Sequence, residues 1–393
     1  MVNVSIYTLT SQLHDEQTVA ASTREFLNSL DINHDLYQED FSTYGQAPLS
    51  LIYVRTGGTE GIFKTLLPQI GQTRQPILLL TSGTSNSLAA SMEILSYLQQ
   101  HHLHGEILHG SPQYIHQRIS ELERVAVARR KLHGTRLGII GKPSDWLISS
   151  EADYDIVRHK LGIELVDISL DEVLKALGTT QIDKGKKGAM CIYEALKKVV
   201  TDHQLQGFTL RCFDLLSVLR NTGCLALAKL NAEGLVAGCE GDVPAMLSMM
   251  VVRSLFGISG FQANPAHINP ETGEMLLAHC TIPLDMVSRY ELDTHFESGI
   301  GVGIRGYMSE GPITLFKLAG DLSRHFIAEG QLLRCEARPN LCRTQTVVQL
   351  SNPSMAQYFL THPIGNHHIL MPDHCQTLLE EMVNGEWQMI NNK

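Results

Sequence analysis

The chain has no excess of basic charge: 31 Lys and Arg stand against 41 Asp and Glu in 393 residues, a net charge of −10. Phosphate backbones are bound by clustered Lys and Arg, and the longest basic stretch is the turn-like Lys184-Gly185-Lys186-Lys187. Nucleic acid is therefore not an expected partner. No stretch approaches 18 uninterrupted apolar residues, so no membrane span is expected. The start, MVNVSIYTLTSQ, lacks a charged region followed by a long apolar core and does not read as a signal peptide. The eight cysteines show no CxxC spacing, which leaves zinc held by thiolates with little support and reads as reduced thiols in a cytoplasmic protein. Repeats of solenoid period and low-complexity tracts are absent too.

What is present is an ordinary globular composition, 43% hydrophobic and 18% charged, enough apolar material for a sizeable core and too much for disorder. The length predicts two or three domains. Strand-like segments at 2–9, 49–54 and 76–80 alternate with helix-like segments up to about 29 and over 87–100. The turns Thr56-Gly57-Gly58-Thr59-Glu60 and Thr81-Ser82-Gly83-Thr84-Ser85-Asn86 fall at strand ends. This alternation predicts a parallel sheet flanked by helices, with ligands beyond the carboxyl ends of the strands. A long charged helix over 113–132 leads to a second such unit, with strands at 136–141 and 162–168, a helix from about 170, and further helices and strands to about 259. Asn264-Pro265-Ala266-His267-Ile268-Asn269-Pro270 reads as a loop, and β-rich segments follow from about 275. The expected architecture is α/β: two doubly wound parallel-sheet (Rossmann-like) domains, 1–133 and 134–270, then a smaller β-rich domain, 271–393.

The densest chemical cluster is Gly238-Cys239-Glu240-Gly241-Asp242, between a short apolar stretch and a helical run. Two carboxylates at a strand-to-helix junction sit close to backbone N–H groups that stabilise negative charge, although Asp242 alone would serve as a helix N-cap. Asp214 occupies a similar junction in Arg211-Cys212-Phe213-Asp214-Leu215, and acids at the ends of successive parallel strands share one crevice. His279 closes an apolar strand, His295 lies in Thr294-His295-Phe296, and His367 and His368 are adjacent. Neighbours in an extended chain point to opposite faces, so at most one of that pair is expected to bind a metal directly.

In these motifs the chain resembles the L-fucose/L-arabinose isomerase superfamily: Gly238-Cys239-Glu240-Gly241-Asp242 before a helix, then Ala278-His279-Cys280, then Gly365-Asn366-His367-His368. The order of the motifs and the two-plus-one domain layout fit as well. The resemblance implies an aldose–ketose isomerase holding Mn²⁺ (or Mg²⁺) through Asp214, Glu240 or Asp242, and His367. The first acid is aspartate here, where the family leads one to expect glutamate. The resemblance also implies that Asp214 and the 240/242 acids act as base and acid on a small sugar. It places His279, Arg305 and His368 near sugar hydroxyls, and Arg55, Thr59 and Ser85 near substrate in a homo-oligomer, a trimer or hexamer. The chemistry suits such residues, because a positioned carboxylate can move a proton between adjacent carbons. A hard cation among oxygen ligands and one imidazole fits Mn²⁺ or Mg²⁺.

Three other readings stay open. Gly301-Val302-Gly303-Ile304-Arg305-Gly306 matches a dinucleotide fingerprint, but its alternating glycines and the lack of a following helical pattern suggest a β segment. The two Gly/Ser-rich turns of the first domain could cradle an anion, giving a regulatory sugar or sugar-phosphate binder. The same metal machinery could also serve an epimerase, or an isomerase of a modified sugar such as a sulfonated hexose.

Overall fold

A computed structural model describes residues 3–71, 73, 75–179 and 181–384; the expected strand start at Val2 lies outside these. Contacts divide the chain into two compact units, Met1–Arg130 with Glu381–Lys393, and Lys131–Glu380.

The first unit runs β1 (Val4–Leu9), α1 (Glu16–Ser29), β2 (His34–Gln38), β3 (Leu49–Val54), α2 (Glu60–Ile70), β4 (Ile77–Leu80), α3 (Ser87–Gln100), β5 (Gly105–Leu108) and α4 (Pro112–Leu132). Its parallel sheet has the order β2-β1-β3-β4-β5. Every residue of β1, β3 and β4 is buried, as expected of strands covered on both faces. Alternate residues feed two separate cores. Ile6, Leu51 and Leu78 pack with α1 and α4, whereas Tyr7, Ile52 and Leu79 pack with α2 and α3.

The second unit opens with β6 (Arg136–Ile140), α5 (Tyr154–Leu161), β7 (Glu164–Ile168), α6 (Leu170–Leu177), α7 (Lys186–Asp202), β8 (Gly207–Leu210), α8 (Cys212–Leu219), α9 (Cys224–Ala232), β9 (Val236–Cys239) and α10 (Val243–Phe256). The sheet is again parallel, in the order β7-β6-β8-β9. The connection order reverses on either side of β6, so the loops after β6, β8 and β9 gather at a switch point of the kind where such sheets bind ligands.

The chain continues through β10 (Phe261–Ile268), β11 (Glu274–His279), β12 (Arg289–Asp293), β13 (Gly303–Tyr307), β14 (Gly311–Leu318), β15 (His325–Cys335), β16 (Thr344–Leu350), α11 (Ala356–Thr361), β17 (His368–Pro372) and α12 (Gln376–Asn384). Six of these strands close an antiparallel barrel, β10-β11-β16-β15-β14-β17, and β12 and β13 form a separate ribbon. The expected α/β sheets and β-rich C-terminal part are thus present.

One expectation is overturned. Residues 264–268, read as a loop from their prolines, belong to strand β10. The pairing of β10 with β11 shifts register between Pro265 and His267, and a bulge is where a strand tolerates a residue lacking an N–H. The barrel therefore begins at Phe261. The GxGxxG match leads into β13, paired antiparallel with β12, and not into a helix, so it lacks the context a dinucleotide fingerprint needs. Among the described residues no helix is long and apolar enough to cross a membrane.

Candidate functional site

The site is built where the loops after β6, β8 and β9 meet the barrel. After β9 the chain turns through two consecutive left-handed residues, Glu240 (φ 64°) and Gly241 (φ 74°). A non-glycine residue rarely holds such a φ, and it persists where its surroundings over-determine it. Here Ser144 N–H donates to Glu240 O at 3.0 Å and Gly241 N–H to Leu210 O at 3.0 Å, stitching the β6 and β8 loops to this turn. From β10, the Gln262 amide clamps the backbone of Cys239, accepting from its N–H at 2.9 Å and donating to its O at 3.2 Å. A Cβ on Gly241 would lie 2.3 Å from Lys142 O and 2.7 Å from Pro143 Cα, so only glycine fits.

This turn carries the Glu240 carboxylate towards two imidazoles. Glu240 Oε1 lies 3.5 Å from His279 Nε2 and 3.6 Å from His367 Nε2, and Trp146 Nε1 donates to Oε2 at 2.9 Å. Asp242 points the other way. It caps α10, accepting from Ala245 N–H at 2.8 Å, pairs with Lys317 Nζ at 3.2 Å and lies 2.9 Å from His367 Nδ1. Asp242 and Lys317 are almost completely sealed from solvent.

The electrostatics follow from this packing. Burial alone would raise the Glu240 carboxyl, but the two imidazoles beside it, His279 at 3.5 Å and His367 at 3.6 Å, hold it well below the usual range. Burial also works against ionised Asp242, yet the Lys317 charge and His367 bring it down to about 2. For His367, burial pushes down while Asp242 and Glu240 push up to about 9. Two carboxylates thus make the His367 ring a place where an extra positive charge is stabilised, whether proton or metal cation. His367 Nε2 is buried and has no hydrogen-bond partner, as befits a nitrogen shaped to coordinate, so the residues present fit a cation held between His367 and Glu240.

The remaining sequence candidates are placed as follows. His368 opens β17, one residue after His367, and its Nε2 lies 3.0 Å from Tyr358 Oη, away from the Glu240–Asp242 contacts of His367. Burial, then the charge of Lys317, press its ring down to about 3. Asp214 is not brought into the Glu240 cluster: it sits in the first turn of α8 and pairs with Arg211 Nε at 2.7 Å. Its neighbour Phe213 meets Trp146 edge-on at 4.8 Å and His295 at 5.3 Å, forming an aromatic wall that leads to Glu240. Arg305 donates to Asp293 at 2.9 Å, and its Nη1 is buried without a partner. In the first unit, Arg55 is buried and bonds Glu16 through both terminal nitrogens, Thr59 donates to Thr56 O, and Ser85 is left-handed with its carbonyl accepting from Gly57 N–H.

Three residues of the site escape the sequence reading: Lys317, Trp146 and Gln262. Lys317 did leave a signal, a single cation inside the apolar run Ile313-Thr314-Leu315-Phe316-Lys317-Leu318. A charge in a buried strand must be paired. Trp146 and Gln262 left none, because their partners are more than 20 residues away.

No family model matches the chain. It is similar to the sulfoquinovose isomerase of Priestia aryabhattai, at 21% identity over 307 residues, which cover 70% of this chain and 69% of that protein. The sulfoquinovose isomerase of Priestia megaterium is similar to the same extent. That of Alkalicoccus urumqiensis is 20% identical over 279 residues, 64% of this chain and 61% of the relative.

Proposed function

We propose that this protein is a divalent-metal-dependent aldose–ketose isomerase working through an enediol. The observation that carries the reading is the facing pair Glu240 Oε1 and His367 Nε2, 3.6 Å apart, one an ionised carboxylate and the other a buried nitrogen with no hydrogen-bond partner. Glu240 and His367 would hold Mn²⁺ or Mg²⁺, with Asp242 bracing the imidazole from behind. Such a cation supplies Lewis-acid stabilisation of charge on the sugar oxygens. The chain's own residues do the rest. Glu240 is ionised and its Oε2 is aimed by Trp146, so through that oxygen the carboxylate can take the proton from C2 of an aldose and deliver a proton to C1, giving the ketose. The hydroxyl proton passes from O2 to O1 in the same exchange, and the net composition of the sugar is unchanged. Phe213, Trp146 and His295 form an apolar flank against which a sugar ring face can lie.

The relatives' name makes sulfoquinovose the first sugar to try, and a modified sugar of that kind the favoured substrate over a plain aldose. Purified protein stripped of metal and reloaded with Mn²⁺ is given sulfoquinovose and a panel of neutral aldoses, and exchange is followed by NMR in D₂O. Metal-dependent incorporation of deuterium at C1 of the ketose formed, and at C2 of the aldose recovered, is the expected result. Exchange that persists in the metal-free protein, or its absence with every sugar, would sink the proposal. The same preparation, examined by light scattering, tests the trimer or hexamer implied by the family resemblance.

A further inference from the structure

Proximity alone singles out a trio of possible ligands, with the ligating atoms of Cys239, Glu240 and His279 all within 4.8 Å of one another. The hydrogen bonds argue against it. Cys239 Sγ lies 3.2 Å from Cys212 Sγ, both buried, and this contact with burial keeps the thiol protonated, whereas a metal takes the thiolate. His279 is the more informative member. Thr281 N–H is 3.2 Å from His279 Nδ1, and a backbone N–H can only donate. Nδ1 is therefore the acceptor, and a neutral imidazole with one acceptor carries its hydrogen on the other nitrogen. That other nitrogen, Nε2, is the one facing Glu240 at 3.5 Å.

His367 is wired in the reverse sense. Its Nδ1 faces Asp242 Oδ2 at 2.9 Å. Asp242 also accepts from Ala245 N–H and lies beside Lys317 Nζ, so it is held as an acceptor-only carboxylate. Nδ1 must donate, so when a cation takes the place of the ring's second proton it is Nε2, on the side of Glu240, that coordinates. A carboxylate behind a histidine in this way fixes the ring and its tautomer for metal binding.

We infer that the two imidazoles beside Glu240 have opposite tasks: His367 presents a lone pair to a cation, whereas His279 presents an N–H and is a hydrogen-bond donor, not a ligand. Asp242 and Lys317 are positioning residues that act through His367, and neither coordinates. His279 Nε2–H is aimed at Glu240 and at the space a sugar oxygen would share with it. The inference rests on the metal-isomerase reading for the cation, but the proton on His279 is a property of the protein without metal.

Two measurements test it. In metal-free protein labelled with ¹⁵N-histidine, with a His279→Gln variant used to assign the signals, the His279 spectrum at neutral pH should show Nε2 protonated and Nδ1 bare. A proton on Nδ1 overturns the inference. Binding of Mn²⁺ is then followed by the free-ion EPR signal. His279→Gln keeps an N–H in the Nε2 position and should hold Mn²⁺ within about 3-fold of the unaltered protein. His367→Gln should weaken it by more than about 100-fold, and Asp242→Asn by about 10–100-fold, the range for an outer-shell partner of a metal-binding histidine. Equal losses for His279→Gln and His367→Gln would overturn the inference. If the unaltered protein takes up no Mn²⁺, the isomerase reading falls, and the nitrogen spectrum still decides whether His279 is a donor.

Discussion

Lys317 Nζ lies 3.2 Å from Asp242 Oδ2, an ion pair with 1% and 0% of its side chains exposed, joining barrel strand β14 to the cap of helix α10. Removing one partner of such a pair strands the other charge in a medium that cannot solvate it, at a cost of about 3–5 kcal/mol. Lys317→Met should therefore lower the urea midpoint by that equivalent. Adding Asp242→Asn to Lys317→Met should recover most of the stability, since neither charge is then left alone, while Mn²⁺ affinity stays low. A double variant no more stable than Lys317→Met would mean that the pair is not what couples the barrel to the helix.

The Trp146–Glu240 hydrogen bond predicts a loss of rate without a loss of fold. Trp146 is half exposed, so Trp146→Phe removes the indole N–H at little cost to packing. A hydrogen bond to a charged group contributes about 1.5–3 kcal/mol. If it serves to aim the base in the transition state, the turnover number should fall about 10–100-fold, with metal content and melting temperature close to those of the unaltered protein. Unchanged turnover would show that Glu240 does not depend on Trp146 for its aim.

Gly241→Ala is predicted to be far more damaging than its size suggests. The added methyl meets the backbone of Lys142 and Pro143, and neither is a flexible side-chain end. A φ of 74° adds its own strain to any residue with a Cβ, of the order of 1–3 kcal/mol. Thermal unfolding should show a clear drop, and Mn²⁺ binding should weaken because the Glu240 turn can no longer close on the β6 loop.

Away from the site, Asp293 gives a pH signature. Burial works against its ionisation, but the hydrogen bond from Arg305 and the charges of Arg343 and Arg305 hold its carboxyl below the ordinary aspartate value of 3.8. A depressed carboxyl contributes stability that is fully present above the unfolded value and is lost as the pH falls through the folded one. Asp293→Asn should thus melt lower than the unaltered protein at pH 7, and the gap should close as the pH falls below about 3.8. A gap independent of pH would assign the effect to packing and not to charge.

Much of this protein is written locally. The burial of β1, β3 and β4 on both faces follows from their continuous apolar runs, and the junction after β9 is marked by a capping aspartate and a glycine that only a left-handed turn requires. Those signals depend on residues within a few positions of one another, so the sequence by itself determined two α/β sheets, a β-rich end, and Glu240, Asp242, His279 and His367 as the residues to watch. It could not tell whether Glu240 or Asp242 faces the site. That depends on Lys317, 75 residues on, and on His367, 125 residues on, which claim Asp242 from inside the barrel. Nor could it keep 264–268 in a strand, because the bulge that tolerates Pro265 exists only once β11 is alongside. Asp214 is the converse case: Arg211, only three residues away, takes its carboxylate, a local pairing that leaves it apart from the Glu240 cluster. Local chemistry names the candidates, and the pairing of distant charges in a poorly solvating interior decides which of them remains free to react.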